Sequence, residues 1–252
     1  MILLNLVRKM SDRRIFITGG SGFVGIILLS VLPANRICIF GRRDLDISNA
    51  YFVRGEIQPD TQYLTAFNNV DVVIHLAARV HIMNDSSSDP LAEFRTVNTE
   101  GTLNLARQAA EAGVKRFIFL SSIKVNGEST SGRQPFTAFD TRSPEDPYGI
   151  SKSEAEEQLL ELGKETGMEI VIIRPPLVYG EGVKANFASL MKLVGKGFPL
   201  PFRAINQNKR SLVSVYNLVD LIKVCIDHPK AANQVFLVSD DNDLSTSQMV
   251  AL

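Results

Sequence analysis

Tyr148 and Lys152, in DPYGISKSEAEEQLLEL (146–162), are spaced so that a phenol and an ammonium share one face of a helix. A phenol with a pKa of about 10 is ionised to roughly 0.1% at neutral pH, and a neighbouring positive charge favours the phenolate. Lys152 is thus expected to draw the Tyr148 phenol down, making it an acid or base able to exchange a proton with a substrate hydroxyl. Ser122, in LSSIKVNG (120–127), could hydrogen-bond the same reacting oxygen, and Asn98, in TVNTEGTLNL, could hold a water or a backbone carbonyl. Each has a plainer reading: a lysine whose stem packs inward while its head reaches solvent, a strand-end serine serving local backbone, a solvated asparagine. A tyrosine–lysine pair at this spacing carries little weight alone.

The elements around these residues have to place them. Asp146 suits an N-cap and Pro147 the first helical position, and helical spacing from Tyr148 leads through Lys152, Ala155, Leu159 and Leu162, a stripe that should face the interior. Apolar strand-like runs (RIFIT, RICIF, YFV, DVVIHLAA, RFIFLSS, EIVIIRP) alternate with amphipathic stretches, including a helix through Leu91 to Ala112. Continuous apolar strands between helices imply an α/β class, a doubly wound parallel sheet covered on both faces. Ser122 then falls at the carboxyl edge of a strand, where open α/β sheets bind ligands. After Arg174 the rhythm changes: PPLVYGEG, a helix near Asn186 to Gly195, RSLVSV, a helix from about Asn217, and QVFLVS, which returns to the sheet. The resulting division is an extension over 1–12, a nucleotide-binding unit over 13–178, and segments of a smaller substrate lobe over 179–252.

TGGSGFVG, Thr18 to Gly25, follows the first strand and opens the first helix, satisfying both the GxGxxG and the GxxGxxG spacing. Glycines here allow a tight turn and bring backbone amides to a pyrophosphate at the positive end of the helix. A dinucleotide site is the stronger reading, and with it hydride transfer to or from a nicotinamide. NAD sites usually carry an acid at the end of the second strand, whereas RICIF is followed by Arg42 and Arg43, with Asp44 and Asp46 later. An arginine at that corner would pair with a 2′-phosphate, so NADP is expected, with NAD left open.

Composition excludes several classes. The 252 residues are 45% apolar, and 27 basic residues balance 27 acidic ones, so nothing suggests a nucleic-acid or membrane surface. MILLNLVRKM is too short to span a bilayer, no other run approaches membrane length, and no metal-ligand cluster stands out. Cys38 and Cys225 sit in apolar patterns and read as core residues of a cytoplasmic protein.

With TGGSGFVG, HLAA, SSIKVNG, YGISK and RPPLVYG in this order, the chain resembles the extended short-chain dehydrogenases/reductases, in the nucleotide-sugar epimerase/dehydratase/reductase group. The resemblance implies a catalytic set of Ser122, Tyr148 and Lys152 with Asn98 in support. For the cofactor it implies Gly19, Gly22, Phe23, Val24 and Gly25 at the pyrophosphate, and Arg42 and Arg43 at the ribose. It also implies Glu56 and Ile57 at the adenine, and Leu76, Ala77, Ala78 and Pro175 beside Tyr148 and Lys152. For a UDP-sugar it implies Asn186 and Arg210 at the diphosphate and Leu200 and Phe202 beside the uracil; a homodimer is left open.

The chain departs from this pattern in lacking several tens of residues of the family's C-terminal lobe and in carrying Asn126 in place of the usual tyrosine, with Lys124 nearby. SSIKVNG is most similar to a branch of UDP-4-keto-6-deoxy-N-acetylhexosamine reductases. Ile123 and Lys124 stand where dehydratases carry an Asp-Glu pair, which disfavours dehydration. The resulting expectation is NAD(P)H-dependent reduction of such a 4-keto sugar. UDP-glucose/UDP-N-acetylglucosamine 4-epimerase is the alternative, and a catalytically silent NADP-sensing scaffold the rival outside enzymes.

Overall fold

The computed structural model describes residues 13–80, 89–183 and 206–251. Seven parallel strands form its centre: β1 (Ile15–Thr18), β2 (Ile37–Gly41), β3 (Tyr51–Arg54), β4 (Val72–His75), β5 (Arg116–Leu120), β6 (Glu169–Arg174) and β9 (Gln234–Leu237). They lie in the order β3-β2-β1-β4-β5-β6-β9, so the direction of winding reverses between β1 and β4. β7 (Leu177–Tyr179) and β8 (Leu212–Ser214) pair in parallel as a separate small sheet. The helices are α1 (Phe23–Val31), α2 (Pro90–Phe94), α3 (Thr102–Glu111), α4 (Pro147–Thr166), α5 (Val215–Asp227) and α6 (Thr246–Ala251).

The strands are apolar on both faces because both are covered. Phe16, Val73, Phe117, Phe119 and Ile172 pack with Leu105, Ala106, Ala155 and Leu159 of α3 and α4. Ile17, Ile39, Ile74, Ile118 and Ile173 pack with Leu28 of α1 and Leu218 and Ile222 of α5. Alternate residues of each strand thus serve opposite layers. Cys38 and Cys225 are buried free thiols, as composition suggested, and burial pushes them up to about 12 and about 11.

One expected helix differs in detail. The helix read through Leu91 to Ala112 is interrupted: between α2 and α3, Arg95–Gly101 winds as a π-helix. Between β3 and β4 the described chain forms only a 3₁₀ turn, Leu64–Phe67. α4 follows expectation. Asp146 accepts from the Gly149 amide at 2.6 Å with Pro147 next, Lys152, Ala155, Leu159 and Leu162 face inward, and Gly167 closes the helix at φ +76°. Only a residue without Cβ takes that left-handed position cheaply.

Candidate functional site

A cleft of about 920 Å³ opens at the carboxyl ends of β1, β2 and β4, where the winding reverses. Gly19, Gly22, Phe23, Val24 and Gly25 form one wall, and Arg42, Arg43, Glu56 and Ile57 another. Leu76, Ala77 and Ala78 close it toward Leu120. The glycines are demanded by close backbone approach. Gly19 sits at φ +74° with room for no Cβ, which would lie 2.6 Å from the Ala77 nitrogen, and a Cβ on Gly25 would lie 2.3 Å from the Gly19 carbonyl oxygen. The cradle therefore presents bare backbone at the start of α1, the surface a pyrophosphate needs. The residues present fit a dinucleotide. At the β2 corner Asp44 caps its own turn, accepting from the Asp46 amide at 3.0 Å, and Arg42 and Arg43 are the charged side chains that line the corner, with Leu45.

Asn98 touches the cleft lining through Arg79, whereas Ser122 and Tyr148 are not part of that lining. Ser122 follows β5 and caps a short 3₁₀ turn, its Oγ accepting from the Lys124 amide at 3.3 Å. Asn98, in the π segment and 1% exposed, accepts from the Arg79 amide at 2.8 Å and donates to the Arg79 carbonyl at 3.0 Å and to Ser151 Oγ at 3.1 Å. Of the two options read from sequence it takes the backbone carbonyl, clasping a residue that lines the cleft. Pro175 lies away from the cleft lining; its carbonyl accepts from the Ile123 amide at 3.0 Å and ties β6 to the serine turn.

Lys152 does not reach solvent. At 1% exposure, its Nζ donates to the Leu120 carbonyl at 2.9 Å and lies 4.3 Å from the Phe119 ring centre. Burial pulls this ammonium down to about 7, against the opposing pull of Glu156. Tyr148, whose ring meets Phe94 edge-on at 6.0 Å, departs from expectation: burial, then the charge of Asp146, push its phenol up to about 12. Helical spacing puts Lys152 one turn from Tyr148, but it says nothing of the desolvation that raises the phenol.

Three buried features went unread in the sequence. His75, paired in register with Thr18, shares hydrogens with Thr18 Oγ1 (2.7 Å) and Thr102 Oγ1 (2.9 Å) and stacks on Phe119 at 5.8 Å. Burial, followed by the nearby Lys152, keeps it neutral by holding its pKa well below 6.5. Glu156 is fully buried against Arg174. Arg174 also donates to Asn126 Oδ1 at 2.9 Å, and Asn126 donates to the Thr137 carbonyl at 2.9 Å. Asn126 therefore serves an internal ion-pair network. A signal existed for Glu156, a second charge one turn beyond Lys152 on the same stripe.

The substrate-side expectations have less purchase. Asn186, Leu200 and Phe202, and the helix expected near Asn186, lie outside the described residues. Arg210 is exposed and pairs through its backbone with Leu244 (2.9 and 3.1 Å); it is not part of the cleft lining. Among the described residues, no group of His, Cys, Asp and Glu could hold a metal, and no helix is long and apolar enough to cross a membrane.

The model of the NAD dependent epimerase/dehydratase family matches residues 15–239. A Vibrio cholerae protein named UDP-glucose 4-epimerase is 56% identical over 247 residues, covering 96% of this chain and 75% of that protein. The N-acetyl-α-D-glucosaminyl-diphospho-ditrans,octacis-undecaprenol 4-epimerase of Escherichia coli O157:H7 is 31% identical over 247 residues, covering 94% of this chain and 70% of its own length. Among solved structures, dTDP-glucose 4,6-dehydratase from Bacillus anthracis in complex with NAD is similar with a TM-score of 0.79 at 21% identity. That match covers 95% of this chain and 79% of that one, a likeness of fold.

Proposed function

The chain belongs to the NAD dependent epimerase/dehydratase family, and from that premise we propose that it is a UDP-hexose 4-epimerase. The observation that carries this reading is the 56% identity, over nearly the whole chain, to a protein named UDP-glucose 4-epimerase. It favours epimerisation over the reduction of a 4-keto sugar expected from SSIKVNG.

In this reading Tyr148 exchanges the proton of the sugar's C4 hydroxyl and Ser122 orients that oxygen. Asn98 fixes the Arg79 backbone beside the cleft, and Lys152 holds the end of β5 through Leu120. The dinucleotide, held by Gly19, Gly22 and Gly25, supplies hydride acceptance and return at C4. Epimerisation asks the phenol both to lose and to regain its proton. A positive charge on Lys152, or on a bound nicotinamide, would favour the ionised phenol. Arg42 and Arg43 support a 2′-phosphate at the ribose, and the family resemblance alone supports giving Arg210 and Asn186 the sugar nucleotide's diphosphate.

A panel of UDP-hexoses, with and without the N-acetyl group, tests the reading against its rival. Interconversion of C4 epimers with no net consumption of reduced cofactor supports it. Stoichiometric oxidation of NADPH by a UDP-4-keto-6-deoxy-N-acetylhexosamine, with no interconversion, would return the assignment to the reductase.

A further inference from the structure

We infer that Lys124 and Asp146 are positioning residues: their ion pair sets the separation between Ser122 and Tyr148 for proton exchange. The inference rests on the epimerase reading only for the identity of the reacting hydroxyl. Asp146 uses both carboxylate oxygens, Oδ1 on the Gly149 amide at 2.6 Å and Oδ2 on Lys124 Nζ at 2.5 Å. Lys124 in turn gives its own amide to Ser122 Oγ at 3.3 Å. One path, through the backbone amide and then the side chain of Lys124, therefore runs from the serine at the end of β5 to the helix turn that bears the tyrosine.

Gly149 completes the contact. A Cβ there would stand 3.0 Å from Asp146 Oδ1, 3.0 Å from the Lys124 carbonyl oxygen and 3.3 Å from Lys124 Cβ, so α4 and the serine turn meet backbone to backbone. The pair is partly exposed, at 31% for Lys124 and 20% for Asp146, and Lys124 shares its charge with Glu128 at 2.9 Å. Water screens such a pair, so its main value is orientation and not stability. It also acts on charge, because Asp146 raises the Tyr148 phenol and Lys124 neutralises Asp146. Among the described residues, Lys152 lies one turn along α4 from Tyr148, and Arg79, paired with Glu93, lies over the Phe94 ring that Tyr148 meets. His75, beyond Phe119, stays neutral.

Three variants separate geometry from charge. Lys124→Met and Asp146→Asn, the latter retaining a capping oxygen, should each lower kcat roughly 10-fold with substrate KM and cofactor affinity nearly unchanged, as expected for misplacement of reacting groups. Their pH–rate profiles should move in opposite directions, to lower pH for Asp146→Asn and to higher pH for Lys124→Met, because one removes and the other exposes the same negative charge. Gly149→Ala keeps both charges while forcing the neighbours to give by a few tenths of an ångström, and should lower kcat with no shift in pH. Lys124→Arg should restore most of the lost rate. Carbon-13 NMR of labelled tyrosine, with Tyr148 assigned through Tyr148→Phe, follows the phenol without substrate. The inference can thus be judged even if UDP-hexoses prove not to be the substrate. Shifts in the same direction for the two charge variants, or rates within twofold of the parent for all three, would overturn it.

Discussion

Replacing Lys152 by methionine should slow turnover sharply and stabilise the protein. The ammonium lies 1% exposed between the Leu120 carbonyl and the Phe119 ring, and burial takes its pKa from 10.5 to about 7. At 1.36 kcal/mol per pKa unit, burying this charge costs on the order of 5 kcal/mol wherever both folded and unfolded chains are protonated. Methionine forfeits the bond to the Leu120 carbonyl, about 1–3 kcal/mol, and the cation–π contact, about 1 kcal/mol, leaving a net gain of roughly 1–3 kcal/mol. The sign with pH follows from proton linkage. Between about 7 and 10.5 the unfolded chain binds this proton more tightly than the folded one, so the parent gains stability as pH rises. The advantage of Lys152→Met should be full below about pH 7 and fade toward pH 10. Urea denaturation of both proteins at several pH values measures it, alongside a rate assay in which kcat falls by about 100-fold or more. A variant less stable than the parent at pH 6, or a difference that does not change with pH, would refute the reasoning.

Three other outcomes follow from the same geometry. Arg42→Ala together with Arg43→Ala should weaken NADP binding roughly 10-fold or more while leaving NAD nearly untouched, because charge-assisted bonds to a 2′-phosphate are worth about 1.5–3 kcal/mol each; titration calorimetry with both dinucleotides decides it. In Gly25→Ala the new methyl would meet the Gly19 carbonyl at 2.3 Å and the Gly20 Cα at 2.7 Å, backbone atoms that cannot swing aside, so calorimetry should find dinucleotide binding lost. Glu156→Ala strands the buried Arg174 guanidinium and should cost about 3–5 kcal/mol in urea unfolding, whereas a loss under about 1 kcal/mol would mean the network is dispensable.

The parts of this protein legible in sequence are those fixed by local pattern. β1, β2, β4, β5 and β6 are unbroken apolar runs, α4 announces itself through Asp146 and Pro147, and the spacing of Gly19, Gly22 and Gly25 marks the cradle that the structure places at the cleft. What escaped depends on partners distant in the chain. The π segment accompanies the hold of Asn98 on Arg79 and Ser151, contacts no window of sequence contains. The partner of Asn126 is Arg174, 48 residues away, which no local pattern around SSIKVNG announces. The Tyr148 phenol was misjudged because spacing places a charge but does not count the water removed around it.

The most direct test of the proposed chemistry is the fate of the hydrogen at C4. UDP-glucose deuterated at that carbon, incubated with the enzyme and catalytic dinucleotide in ordinary water, should yield UDP-galactose with the deuterium still at C4 and the total reduced cofactor unchanged. Loss of the label to solvent, or conversion that stops when added cofactor is spent, would contradict an epimerase that removes and returns its own hydride.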